Sequence, residues 1–168
     1  MRISKIIFSL ILFLSFLLTG CSSGTNNAES VIASEKTLPS DFYEIAFQRE
    51  TVPLFQYMIR RAVDQSQYEQ TWDLYGFEGE MPSVDFDGKD VFFIGVQESG
   101  SCPYELKSIE WSADNSTMTF PLSEPGGDCT SDATPRTFVI QIDKEISKVI
   151  ENVVIVESGI ETNVPFEN

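Results

Sequence analysis

Three cysteines and no histidine set the limits of what this chain can do with its side chains. Without an imidazole there is no general base that titrates near neutral pH, so neither a Ser-His-Asp nor a Cys-His nucleophile can be assembled. Ser99-Gly100-Ser101 lacks the spacing of a nucleophile elbow, and no glycine-rich loop carries the lysine that would hold a phosphate. Paired carboxylates or a lysine are the catalytic groups left. No catalytic residue is assigned, and an enzyme is the weakest functional reading. Asp85-Phe86-Asp87-Gly88-Lys89-Asp90 alternates acids as a calcium loop does, but its glycine stands fourth rather than sixth and the closing glutamate is missing. Asp87-Gly88 reads better as the turn before a strand. The acidic stretch Glu124 to Asp132 could complete a calcium site only if the fold brought the two together. Two thiolates fall short of the four ligands a structural zinc takes, so no metal or cofactor is expected.

Cys102 and Cys129 form an even pair, for which a disulfide is the default in an oxidising compartment. Both sit among Gly, Ser, Pro and Asp, each ahead of an expected strand, so the bond should staple two loops at one end of a sheet. That end is the candidate binding surface: Gly100, Pro103, Tyr104, Gly126 and Gly127, with the Tyr104 ring as an anchor. Rigid loops around an aromatic group suit recognition because little entropy is lost on binding. The competing expectation is that Tyr104 begins a strand and packs inward.

The compartment is argued from the start of the chain. Arg2 and Lys5 precede an apolar run from Ile6 to Leu18, interrupted only by Ser9 and Ser15, as in a secretory signal. The run is well short of the roughly 20 residues that cross a bilayer. Leu18-Thr19-Gly20-Cys21 resembles the lipobox of bacterial lipoproteins. The resemblance implies a signal peptide over residues 1–20, acylation of Cys21, and an extracytoplasmic protein anchored to the bacterial membrane by lipid. Two acyl chains anchor stably where one would be marginal. Ser22 to Lys36 is too poor in large apolar groups to bury itself and is expected to be a flexible tether. The organisation is therefore lipidated Cys and tether over residues 21–37, then a single domain over 38–168. The net charge of −15 becomes more negative once Arg2 and Lys5 are removed. That repels phosphate backbones, so nucleic acid is not expected as a partner.

Phe42 to Phe47 and Leu54 to Arg60 are rich in aromatic and β-branched residues, which predicts two strands. Ser66 and Glu69 look like a capping box, opening a helix that carries Tyr68, Trp72 and Tyr75 on one face and ends near Gly76. This aromatic stripe is expected to pack in the core. Asp90 to Val96 is a continuous apolar run, consistent with a central strand. Tyr104 to Trp111 and Thr117 to Leu122 flank the turn residues Asp114-Asn115-Ser116 and should form a hairpin, with a bulge at Lys107-Ser108. Thr137 to Ile142 is another strand, and Val153 to Val156 follows a short helix as the last one. The expected class is α+β, mostly β: a compact antiparallel sandwich or barrel with one short packed helix.

The segment from Trp72 to Ile142 resembles the PrcB-like domain, named after a protease-complex-associated protein. The resemblance rests on Trp72-Asp73-Leu74-Tyr75, Pro82-Ser83-Val84-Asp85-Phe86, the strand Val91 to Val96, the loop Glu98 to Tyr104, and Pro135 leading into Thr137 to Ile142. The chain departs from that family in its two cysteines and in Gly100-Ser101-Cys102-Pro103. The resemblance implies a small β-rich binding or assembly domain that touches a protease or another envelope protein. The leading expectation is a lipid-anchored protein-binding module of the envelope, and the alternative is a calcium-dependent wall or envelope protein.

Overall fold

The computed structural model of the protein describes residues 29–49 and 56–167. The expected signal peptide, Cys21 and the first part of the expected tether lie outside the described residues. No helix among the described residues is long and apolar enough to cross a membrane.

The apolar run after Asp90 becomes the central strand of one sheet because both of its faces are covered. This strand, β3 (Lys89–Glu98), turns Phe92, Ile94 and Val96 to one side and Val91 and Phe93 to the other. It pairs along its whole length with antiparallel β7 (Thr134–Asp143), and on its other edge with β2 (Met58–Ala62). β1 (Glu29–Glu35) adds beyond β7, and β10 (Phe166–Glu167) beyond β2. A second sheet holds β6 (Thr117–Ser123), β8 (Asn152–Glu157) and β9 (Ile160–Val164). At its margin β4 (Glu105–Leu106) and β5 (Glu110–Trp111) both pair with β6.

The two sheets face each other across one core. Phe92, Ile94, Phe138 and Ile140 of the first sheet meet Met118, Phe120, Val153 and Ile155 of the second. Among the described residues three helices complete the fold: α1 (Phe42–Phe47), α2 (Gln65–Tyr75) and α3 (Lys144–Ser147). α2 lays Tyr68, Trp72 and Tyr75 on the outer face of the first sheet, against Val91, Phe93 and Val139. The result is a helix layer on a two-sheet sandwich, α+β and mostly β.

Several expectations need correction in detail. Residues 29–35 of the expected tether are strand β1, paired with β7 from Glu29↔Ile142 to Glu35↔Thr137. Phe42 to Phe47 is a helix rather than a strand: Phe42 and Ala46 are buried one turn apart while Tyr43 and Glu44 face outward. The sheets are mixed rather than wholly antiparallel. The chain leaves β6 for β7 in the other sheet before returning as β8, so β6 and β8 run parallel, as do β2 and β10. Instead of one packed helix the described residues hold three, and β9 and β10 follow the strand expected to be the last. The N-cap of α2 is Asp64 rather than Ser66. Its carboxylate accepts from Gln67 N at 2.8 Å, and Gln67 Oε1 accepts from Val63 N at 3.1 Å.

Candidate functional site

The cysteines of the second half are joined. Cys102 and Cys129 form a disulfide with Cα atoms 5.5 Å apart, Cys102 buried and Cys129 exposed. The bond ties the loop between β3 and β4 to the loop between β6 and β7. A second clasp lies beside it, made of hydroxyls and one carboxylate. Ser99 Oγ and Ser101 Oγ each lie 3.1 Å from Thr130 Oγ1, and Thr130 N donates to Ser101 Oγ at 2.9 Å. Asp132 accepts from Gly100 N at 3.1 Å, from Thr130 Oγ1, and from Thr134 Oγ1 at 3.2 Å. A β-carbon at Gly100 would lie 2.4 Å from Asp132 Oδ2, so a larger residue there would push the Asp132 carboxylate aside and loosen the clasp. The Thr130 hydroxyl and the Gly100 N–H together hold the Asp132 carboxyl below the usual range. Such a carboxylate is a poor proton acceptor, so this set of hydroxyls is a fastening rather than an activated nucleophile.

Beneath the loops the chain buries charge. The side chain of Glu98 is wholly inaccessible and accepts from Tyr104 N at 2.8 Å and from Arg136 Nε at 2.9 Å, with Arg136 Nη2 at 2.8 Å. Glu157 receives the hydroxyl of Tyr57, and the Tyr104 hydroxyl is hydrogen-bonded to it as well. Burial first, and the Glu157 carboxylate second, push both phenols up. Neither phenol is available as an acid near neutral pH.

The candidate surface residues divide under this geometry. Tyr104 is 7% exposed and belongs to the core between the sheets, so it supports the stapled end from below and is not an exposed anchor. Pro103 is exposed, and Gly100 is held by Asp132. Gly126 and Gly127 are exposed and line a hollow of about 530 Å³ together with Lys107, Pro125, Cys129 and Ser158. A smaller hollow of about 260 Å³, lined by Gln56, Ser99, Thr130 and Glu157, shares Glu124 with the first.

No family model, curated protein or solved structure matches this chain.

The acidic motif at Asp85 lies elsewhere. It precedes β3, whereas the Glu124 to Asp132 loop lies beyond the other end of that strand, roughly 30 Å away at the rise of an extended chain. The two acidic stretches do not meet. In the Asp85 loop the carbonyl of Asp85 accepts from Gly88 N and Lys89 N, and its carboxylate from Asp87 N. Lys144 Nζ donates to Phe86 O at 2.6 Å and lies 3.8 Å from Asp90 Oδ1. A tethered ammonium thus stands between the loop carbonyl and the buried acid. Arg61 and Ser147 engage the other Asp90 oxygen at 2.6 and 2.7 Å. Among the described residues no group of three or more acids or cysteines could hold a metal ion.

Sequence reasoning missed Glu98, Arg136, Tyr57 and Glu157. For the first two a signal existed, because side chains alternate along a strand. Glu98 shares its face of β3 with Phe92, Ile94 and Val96, and Arg136 shares its face of β7 with Phe138 and Ile140. A carboxylate and a guanidinium at inward positions of neighbouring strands call for each other. Tyr57 and Glu157 are 100 residues apart, and nothing local joins them.

Proposed function

We propose that this chain is an extracytoplasmic lipoprotein, held to a bacterial membrane through Cys21, that serves as a protein-binding or assembly module of the envelope. The observation that carries the reading is the double fastening of the stapled loops, by the Cys102–Cys129 disulfide beside the 530 Å³ hollow and by the hydroxyl and carboxylate clasp on Thr130 and Asp132 beside the 260 Å³ one. A surface fixed in advance loses little conformational entropy when a partner seats on it. The disulfide favours an oxidising compartment, which agrees with the resemblance of Leu18-Thr19-Gly20-Cys21 to a lipobox. The resemblance of Trp72 to Ile142 to the PrcB-like domain points toward the same class, a β-rich unit that assembles with another envelope protein.

Gly126 gives a clean test because no atom lies within 4 Å of where its β-carbon would stand. Gly126→Trp fills the hollow without disturbing the core. The expected outcome is that an envelope protein co-purifies with the unaltered chain and is lost with the tryptophan variant, with the melting temperature unchanged. Undiminished recovery of that protein with the tryptophan variant would count against the reading.

A further inference from the structure

The two sheets differ in what lies on their outer faces. The first carries α2, with Tyr68, Trp72 and Tyr75 laid on it, whereas no helix among the described residues packs on the outer face of the second. Met118, Phe120 and Leu122 of β6 and Val153 and Ile155 of β8 point into the core, so the residues between them point outward. Thr119 and Pro121 stand beside Val154 and Val156 in the parallel register, and all four are half-buried. This stripe is flanked by acids. Glu110 is paired with Thr119 on one side and Glu161 with Val156 on the other, both exposed. Where β6 and β8 end, Pro121 and Val156 line the hollow of about 530 Å³ together with the Glu124 to Gly127 loop and the Ser158-Gly159 turn. Among the described residues Lys107 is the one cation on that hollow. It is exposed and, unlike Arg60, Arg61, Arg136 and Lys144, holds no carboxylate among the described residues.

We infer that the stripe and the hollow together receive the carboxyl-terminal segment of a partner protein, laid along β6 and β8 with its last residue in the hollow and its terminal carboxylate on Lys107. The inference rests on the binding role of the stapled end and names the chemistry of what binds there. Both strands give way at the hollow to a loop and a turn, so a segment running along the stripe stops against them. A chain terminus supplies at that point the carboxylate that the free ammonium lacks. Aliphatic side chains of the segment cover Pro121, Val154 and Val156. Its remaining side chains are basic, because Glu110 and Glu161 on either side repel an acidic segment and draw long cationic ones. The ligand class is a carboxyl-terminal peptide in which basic and aliphatic residues alternate and an aliphatic residue comes last. A second copy of this chain fits less well, since the flanking glutamates of one face would meet those of the other.

The test uses the full chain purified in detergent and a peptide of about eight residues that alternates lysine with valine, carries fluorescein at its amino end and finishes in a free valine carboxylate. It is expected to bind saturably in fluorescence anisotropy. The same peptide amidated at its carboxyl end should bind about tenfold more weakly, although it is the more positive of the two and general attraction to an acidic protein would favour it. Lys107→Gln should weaken the free-acid peptide by the same factor and leave the amidated one unchanged, which couples the carboxylate to that ammonium. Val154→Lys, at an outward position, should weaken both peptides with the melting temperature held. The inference is overturned if the amidated peptide binds as well as the acid, if Lys107→Gln does not distinguish them, or if Val154→Lys changes nothing. Self-association without peptide that Val154→Lys abolishes would also overturn it, by naming a second copy as the occupant. Failure of the peptide to saturate overturns it as well. If Gly126→Trp then still loses the envelope protein, only the carboxyl-terminal occupant falls; if it does not, the binding role of the stapled end falls with it.

Discussion

Glu98 decides more about this molecule than any exposed side chain does. Its carboxylate has no access to water and is satisfied by Arg136 and the Tyr104 amide, so removing it leaves a guanidinium that is itself mostly buried without a counter-charge. Breaking one partner of a buried pair costs about 3–5 kcal/mol. Glu98→Ala should lower stability by that amount in a denaturant titration, and a loss no larger than that of an exposed ion pair would refute the assignment. The buried phenols set a pH limit. Burial pushes the Tyr68 hydroxyl up to about 12, and Tyr57, Tyr75 and Tyr104 are raised as well. An unfolded chain releases these protons near pH 10 while the native protein keeps them. Stability is thus complete below pH 10 and falls as the pH climbs toward 12. Phenolate absorbance followed together with circular dichroism should show these tyrosines ionising only as the fold is lost; their full ionisation near pH 10 in an intact fold would contradict the burial. At this scale legibility followed parity. Asp90 and Glu98 bracket the inward stripe of β3, and both prove to be buried and paired, but only alternation along the strand announced it.

Among the elements, the loops of the stapled end depend on the disulfide for their chain entropy. The cysteines are separated by 27 positions, and closing a loop of that size is worth about 3–4 kcal/mol. Cys102→Ser combined with Cys129→Ser should cost that much in a reversible unfolding measurement. A loss below about 1 kcal/mol would mean that the Thr130 and Asp132 clasp alone holds the loops. The pairing itself was readable from cysteine count and loop composition, and so was the hairpin around Asp114. There Asn115 takes a positive φ of 59° and Asp114 Oδ1 accepts from Ser112 Oγ, Ser116 N and Ser116 Oγ. The aromatic stripe of α2 was legible because its helical spacing is kept over two turns. α1 was not, because its composition favours strands and only the burial of Phe42 and Ala46 one turn apart reveals the helix. β1 was missed for the opposite reason. Glu29 to Glu35 is polar enough to look like a tether, and it becomes a strand by pairing with β7 at the sheet edge, a long-range contact that local composition does not record.

At the scale of the whole molecule, the sandwich separates two ends with different chemistry. One end closes over Asp90, where Lys144 and Arg61 neutralise the buried acid and Ser147 donates a hydrogen bond to it. The other presents the stapled loops and their hollow to whatever lies outside. The β-rich class was legible from strand and turn spacing, whereas the parallel pairs were not, since they follow from a chain that changes sheets between β6 and β8. The candidate site was legible as loops and a staple, and of the two expectations for Tyr104 it is the inward-packing one that holds. The most direct test of the proposed role is a photo-reactive residue introduced at Gly126, with Gly79, also exposed and free of neighbours, as the control position. Irradiation of intact cells should join position 126 to one envelope protein in an adduct that sediments with the membranes, while position 79 yields none. No adduct from position 126, or the same adduct from both positions, would contradict the account.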